Sequence, residues 1–143
     1  MKRLYVVAAV VALLGLADGI YLTIEHVTGR SAQCIASSGC QDVLSSKYAA
    51  LGPVPLAALG ALAYFTAFSL ALLAAFGYAK CRPLFASLVA VMFAMTLWLL
   101  YLQAFVLHAF CDYCLFSASV TAVLTIIAVA NALLIIEGRA KGK

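Results

Sequence analysis

Charge is what this chain has least of. Only 5 acidic and 9 basic residues occur among 143, charged residues make up 10% of the total, and 67% of the residues are hydrophobic. With a mean hydropathy of +1.14, such a chain cannot clothe a water-soluble globule, which excludes an ordinary soluble domain. Internal repeats, low-complexity tracts and any sign of a second domain are also missing, so residues 1–143 read as one unit. Lys2 and Arg3 precede an apolar run, but that run outlasts a signal peptide and no small-residue cleavage site follows it. The first segment is therefore read as a retained helix.

What the chain has in abundance is long apolar sequence. Leu4 to Ile24, Leu56 to Tyr78, Leu84 to Leu107 and Leu115 to Ile136 each exceed the ~20 residues that cross about 30 Å of hydrocarbon at 1.5 Å per residue. Lipid offers backbone groups no partner, so all four are expected to be helices, giving an all-α, four-helix membrane bundle. Between them lie one long loop (25–55), a tight turn (79–83) and a short connector (108–114).

The basic residues fall unevenly across this topology. Lys2, Arg3, Lys80, Arg82, Arg139, Lys141 and Lys143 lie on one side, and only Arg30 and Lys47 on the other. The bias predicts cytoplasmic termini, with the 25–55 loop and the 108–114 connector facing outward. It also accounts for the net charge of +4, leaving no argument for nucleic acid as a partner.

Sidedness gives the five cysteines their meaning. Cys34, Cys40, Cys111 and Cys114 fall on the outer side, where disulfides persist, whereas Cys81 sits by the inner turn and reads as a small buried hydrophobe. Cys111-Asp112-Tyr113-Cys114 is a C-x-x-C opening the fourth helix. Amide dipoles there favour the thiolate, the species that attacks disulfides, although Asp112 opposes this. At the membrane surface such a pair can meet a lipid-soluble oxidant. A structural disulfide and a tetrahedral metal site made by the four outward thiols are the alternatives.

In the loop, Cys40, Val43, Leu44 and Tyr48 recur at i, i+3, i+4 and i+8, which predicts a short amphipathic helix lying on the membrane end of the bundle. Cys40 should then turn inward toward Cys111. Cys34, reached through the Ile35-Ala36-Ser37-Ser38-Gly39 stretch, should stay open to a soluble partner.

With these pieces in place the chain resembles a small prokaryotic member of the vitamin K epoxide reductase (VKOR) family. The resemblance rests on Gly15-Leu16-Ala17-Asp18-Gly19-Ile20-Tyr21-Leu22-Thr23, the loop cysteines followed by Val43 and Ser45-Ser46, Gly52-Pro53-Val54-Pro55-Leu56-Ala57-Ala58-Leu59-Gly60, and the C-x-x-C of the last span, all in the family's order. DsbB-type quinone reductases are similar in chemistry but carry their C-x-x-C in the first outer loop. The resemblance implies a bundle around a quinone (menaquinone, ubiquinone or a relative) in the prokaryotic inner membrane. It also implies electrons passing from a thioredoxin-like or DsbA-like partner to Cys34, Cys40, Cys111, Cys114 and the quinone. A Cys40–Cys111 disulfide is the implied intermediate, and Ser46 corresponds to a serine supporting the exchange. Leu44, Leu56, Leu107 and Leu115, near the outer ends of their segments, are the candidate quinone wall.

Two polar side chains of the animal enzymes are missing. The position of their active-site asparagine aligns with Leu56, and that of a tyrosine after the C-x-x-C aligns with Ala118. A quinone is therefore expected as substrate in preference to an epoxide, with disulfide formation in exported proteins as the purpose. The family's fused thioredoxin-like domain is also lacking, so a separate reductant is expected.

Other polar and aromatic residues carry weaker signals. Asp18 inside the first span is either a structural hydrogen-bonding group or a proton carrier. His108 either assists a thiolate or simply reaches water. Trp98, Tyr101 and Phe105 share one helix face, which reads as packing before ring binding. Two rival readings remain: a small multidrug-type transporter using Asp18, and a metal-binding membrane protein using the four outward thiols.

Overall fold

The computed structural model describes residues 1–30, 34–36 and 38–142. Lys143 and Ser37, which entered the charge count and the loop reading, lie outside the described residues. Among the described residues four helices are long and apolar enough to cross a membrane: α1 (Lys2–Thr28), α3 (Leu56–Ala75), α4 (Cys81–Tyr101), extended by a π-helical turn (Leu102–Leu107), and α5 (Asp112–Lys141). The short α2 (Cys40–Leu44) lies in the loop between α1 and α3.

The helices differ from the expected spans mainly at their ends. Hydropathy marks where lipid contact stops, whereas a helix continues until its carbonyls are capped. Thus α1 runs to Gly29, whose left-handed backbone (φ 67°) lets its N–H reach the carbonyls of Glu25 and His26. Helix α5 begins three residues earlier than Leu115, with Cys111 as its N-cap residue. The loop helix stops at Leu44, so Tyr48 lies beyond it, and a two-residue hairpin (β1 Ala50–Leu51, β2 Val54–Pro55) leads into α3. Periodicity gave no hint of that hairpin.

Small residues hold the bundle together. Ala8, Ala9 and Ala12 of α1 and Ala67, Ala71 and Ala74 of α3 are buried, and Phe85, Val89, Leu124 and Ile127 complete the core from α4 and α5. A Cβ on Gly19 would come within 3.1 Å of the Ala61 backbone, and one on Gly15 would strike the Tyr64 ring. Helices without a hydrophobic drive to associate gain stability from such close backbone approach. Large apolar side chains such as Val10, Leu62, Val91 and Ile126 point outward, as suits a chain solvated by lipid. Trp98, Tyr101 and Phe105 form an exposed row on α4 and its extension, with ring centroids 6.0 and 5.1 Å apart. They face away from the bundle.

Candidate functional site

The loop and the C-x-x-C meet at one end of the bundle. Cys34 and Cys40 form a disulfide with their Cα atoms 5.6 Å apart, while Cys111 and Cys114 are free thiols. Cys40 and Cys111 are fully buried in one cluster with Val43, and Cys34, Leu107, Ala109, Tyr113 and Cys114 pack around it. Cys34 is only half-buried, and the adjacent Ile35 is 90% exposed.

Two features hold the loop on the C-x-x-C. The Ala36 N–H donates to the Asp112 carboxylate at 2.6 Å, a tie across 76 residues of sequence. Gly39 lies so close to the segment before Cys111 that a Cβ there would meet the Phe110 carbonyl oxygen at 2.5 Å and its nitrogen at 2.8 Å. Backbone cannot swing aside as a flexible side chain can. Gly39→Ala should therefore lift the loop and slow internal thiol exchange by about a hundredfold, the scale of a 1 Å misplacement. Rapid-quench mapping of the disulfides would measure this, with direct reduction of the C-x-x-C by a small dithiol as the unaffected control.

The π-helical turn supplies a residue that sequence reading missed. An extra residue per turn shifts the helical phase, and Gln103 within it is 3% exposed. Its Oε1 accepts the Cys111 N–H at 3.2 Å, and its side chain also hydrogen-bonds the Cys114 thiol. The turn ends at His108, whose left-handed backbone (φ 48°) lets the chain reverse toward Cys111. The His108 side chain is exposed and not on the cavity wall.

Cys111 is electrostatically favoured as a thiolate. A hydrogen bond with the Cys114 thiol lowers its pKa to about 7, opposed by desolvation and helped by the backbone amides of Cys114 and Tyr113. A low-pKa sulfur is a good leaving group in disulfide exchange.

Behind Cys114 a cavity of about 150 Å³ opens between α1, α3, α4 and α5 and is roofed by the loop. A dry apolar cavity near this size holds a benzene-sized ring. Leu44, Leu56 and Leu107 lie on its wall, as do Ser46, Ala118, Gln103 and Asp18. Leu115 does not. It is 38% exposed, because α5 begins at Asp112 and each step along a helix turns the side chain by ~100°. With Cys114 on the cavity, Ser117 and Ala118 at i+3 and i+4 share its face while Leu115 turns away. Ser46 donates to the Val43 carbonyl at 2.7 Å, fastening the end of the loop helix at the cavity roof.

An apolar wall with a free thiol at one edge and a few polar groups suits a planar, lipid-soluble ring. Among the described residues no three His, Cys, Asp or Glu side chains are grouped to hold a metal ion. Asp18 opens onto the same cavity as Cys114, so its chemistry belongs to this site. Residues 6–129 match the family model described as the Vitamin K epoxide reductase family.

Proposed function

Because the chain belongs to the vitamin K epoxide reductase family, whose members are membrane quinone-linked disulfide oxidoreductases, we propose that it draws electrons from a separate thioredoxin-like protein and passes them through two cysteine pairs to a quinone. The observation that carries this reading is the position of the two free thiols. Cys114 opens onto the apolar cavity, and Cys111 is buried against Cys40 of the loop disulfide. The cysteine end of the bundle faces outward and both termini face the cytoplasm, on the strength of the basic-residue bias. The cell membrane of a prokaryote, with menaquinone or ubiquinone in it, is the setting this implies.

The steps run as follows. The partner's thiolate attacks Cys34, displaces Cys40 as a thiolate, and leaves with its own disulfide formed. Cys40 attacks Cys111 in the Cys111–Cys114 disulfide and releases Cys114. Cys34 then closes on Cys40, expelling Cys111, whose lowered pKa makes it a ready leaving group. The outcome is the observed pairing: a Cys34–Cys40 disulfide beside two free C-x-x-C thiols. A bound quinone supplies a two-electron, two-proton acceptor, allowing Cys111 and Cys114 to rejoin. Gln103 holds the C-x-x-C backbone and the Cys114 thiol at the cavity edge throughout.

Purified protein mixed with a quinone and a reduced thioredoxin-like protein should consume quinone absorbance in step with partner oxidation. No quinone loss would overturn the reading. A naphthoquinone should outpace its 2,3-epoxide, since Leu56 and Ala118 leave that part of the wall without donors. A buried oxygen lacking a hydrogen bond costs about 1 to 3 kcal/mol, or roughly 5-fold to 150-fold in rate. Equal turnover of the two would remove the preference.

A further inference from the structure

The relay uses the sulfurs but leaves one group on the cavity wall unassigned. Asp18 is the sole carboxyl lining the cavity among the described residues, and it makes no hydrogen bond or ion pair there. The Tyr64 and Gln103 side chains on the same wall are engaged. The Tyr64 hydroxyl lies 2.8 Å from both the Ser117 and Thr121 hydroxyls and 2.9 Å from the Ser117 carbonyl, and Gln103 is held by the cysteines. A side-chain carboxyl left without a partner, opening onto an otherwise apolar cavity, points to a group that acts on what enters.

The reaction needs such a group. When Cys111 and Cys114 form their disulfide, two S–H bonds break, two electrons leave the sulfurs, and both oxygens of the acceptor ring become hydroxyls. The Cys114 thiol sits at one edge of the cavity, and an oxygen on the α1 side needs its proton carried to it. Resting on the quinone reading above, we propose that Asp18 is the proton donor to the acceptor oxygen on the α1 side. Its carboxyl O–H breaks as the ring O–H forms, and the carboxylate then recovers a proton lost by the thiols, while the second ring oxygen takes the other. The balance is one dithiol and one quinone to one disulfide and one hydroquinone.

The surroundings support both halves of that cycle. Tyr64 of α3 and Cys114 of α5 share the cavity wall with Asp18, whereas among the described residues α4 presents no titratable group to it. A carboxylate formed by proton delivery opposes negative charge on the two sulfurs, so giving up the proton favours giving up the electrons. One turn and two turns further along α1, Leu22 and His26 also line the cavity, and both continue into a second hollow walled by Glu25, Arg30, Gln41 and Ser45. That hollow borders the polar loop and shares Leu22, His26 and Leu44 with the cavity wall. Tyr48 is the remaining titratable group on the wall.

The test compares the parent protein with Asp18→Asn and Asp18→Glu in three measurements. One is quinone binding followed by tyrosine fluorescence without reductant; another is a single turnover of partner-thiol oxidation without quinone; the third is stopped-flow quinone reduction by the pre-reduced protein. Asp18→Asn should bind quinone and exchange thiols as the parent does, yet reduce quinone roughly a hundredfold more slowly, the scale of a lost general acid. Asp18→Glu should regain part of the rate. Parental quinone reduction by Asp18→Asn, or an equal loss in thiol exchange that marks a scaffold role, would overturn the proposal. A parent that exchanges thiols but leaves quinone untouched would instead overturn the quinone reading on which it rests.

Discussion

Replacing Cys114 by serine is expected to abolish quinone reduction, a loss of at least roughly a thousandfold, as when one member of a catalytic unit is removed. Cys114 is the one sulfur that both lines the cavity and neighbours Cys111, so no other thiol can stand in for it. Serine keeps the shape and a hydrogen-bonding hydroxyl, which separates the redox loss from a packing loss. Cys111→Ser should be equally inactive, because Cys111 is the buried sulfur packed with Cys40. Cys81→Ser should turn over like the parent: Cys81 opens α4 at the opposite end of the bundle, packed against the alanine-rich core. Quinone absorbance and partner oxidation, followed together, check all three. Parental turnover by Cys114→Ser would end the relay scheme.

Cys40→Ser is expected to trap the partner. Cys34 is the more accessible loop sulfur, beside the protruding Ile35, whereas Cys40 is 1% exposed beneath it. In the pre-reduced variant the Cys34 thiolate attacks a partner that lacks its second thiol and carries thionitrobenzoate in disulfide linkage on the first; thionitrobenzoate leaves, and the resulting Cys34–partner disulfide has no Cys40 to displace it. Cys111 is held below, against the Cys40 position. The adduct should therefore persist in Cys40→Ser and be lost from the parent, as seen on non-reducing gels. Peptide mapping should place it on Cys34; finding the partner on Cys111 would reverse the order of transfer.

The four spans were legible because each run is long, predominantly apolar and separated from the next by polar sequence, and lipid leaves such runs no fold but helix. The C-x-x-C at a helix start was legible too, since the predominantly apolar run of the fourth span begins at Leu115. Finer placement was not. Leu115 looked like wall because it lies near the end of a span, but the three-residue shift in the start of α5 decides which way it faces. Gln103 is one of three polar residues, with Ser87 and Thr96, in an apolar run, and only the π-helical turn, which has no sequence signature, buries it beside the two cysteines. Asp18 was conspicuous as a charge in a span, yet its neighbours come from α3 and α5, and no periodicity in α1 names them.

The seam between α1 and α3 also bears on how the protein is made. Gly15 and Gly19 let the first two spans clasp closely, and Gly29 at one end and the hairpin at the other bracket the loop between them. Residues 1–75 leave the ribosome first, so this clasp can close while α4 and α5 are still being synthesised. Cys34 and Cys40, six residues apart, can then be oxidised to each other before Cys111 exists to compete for either. This order of synthesis favours the Cys34–Cys40 pairing, so a bulky side chain at Gly19 should show itself first in newly made chains, as scrambled loop cysteines.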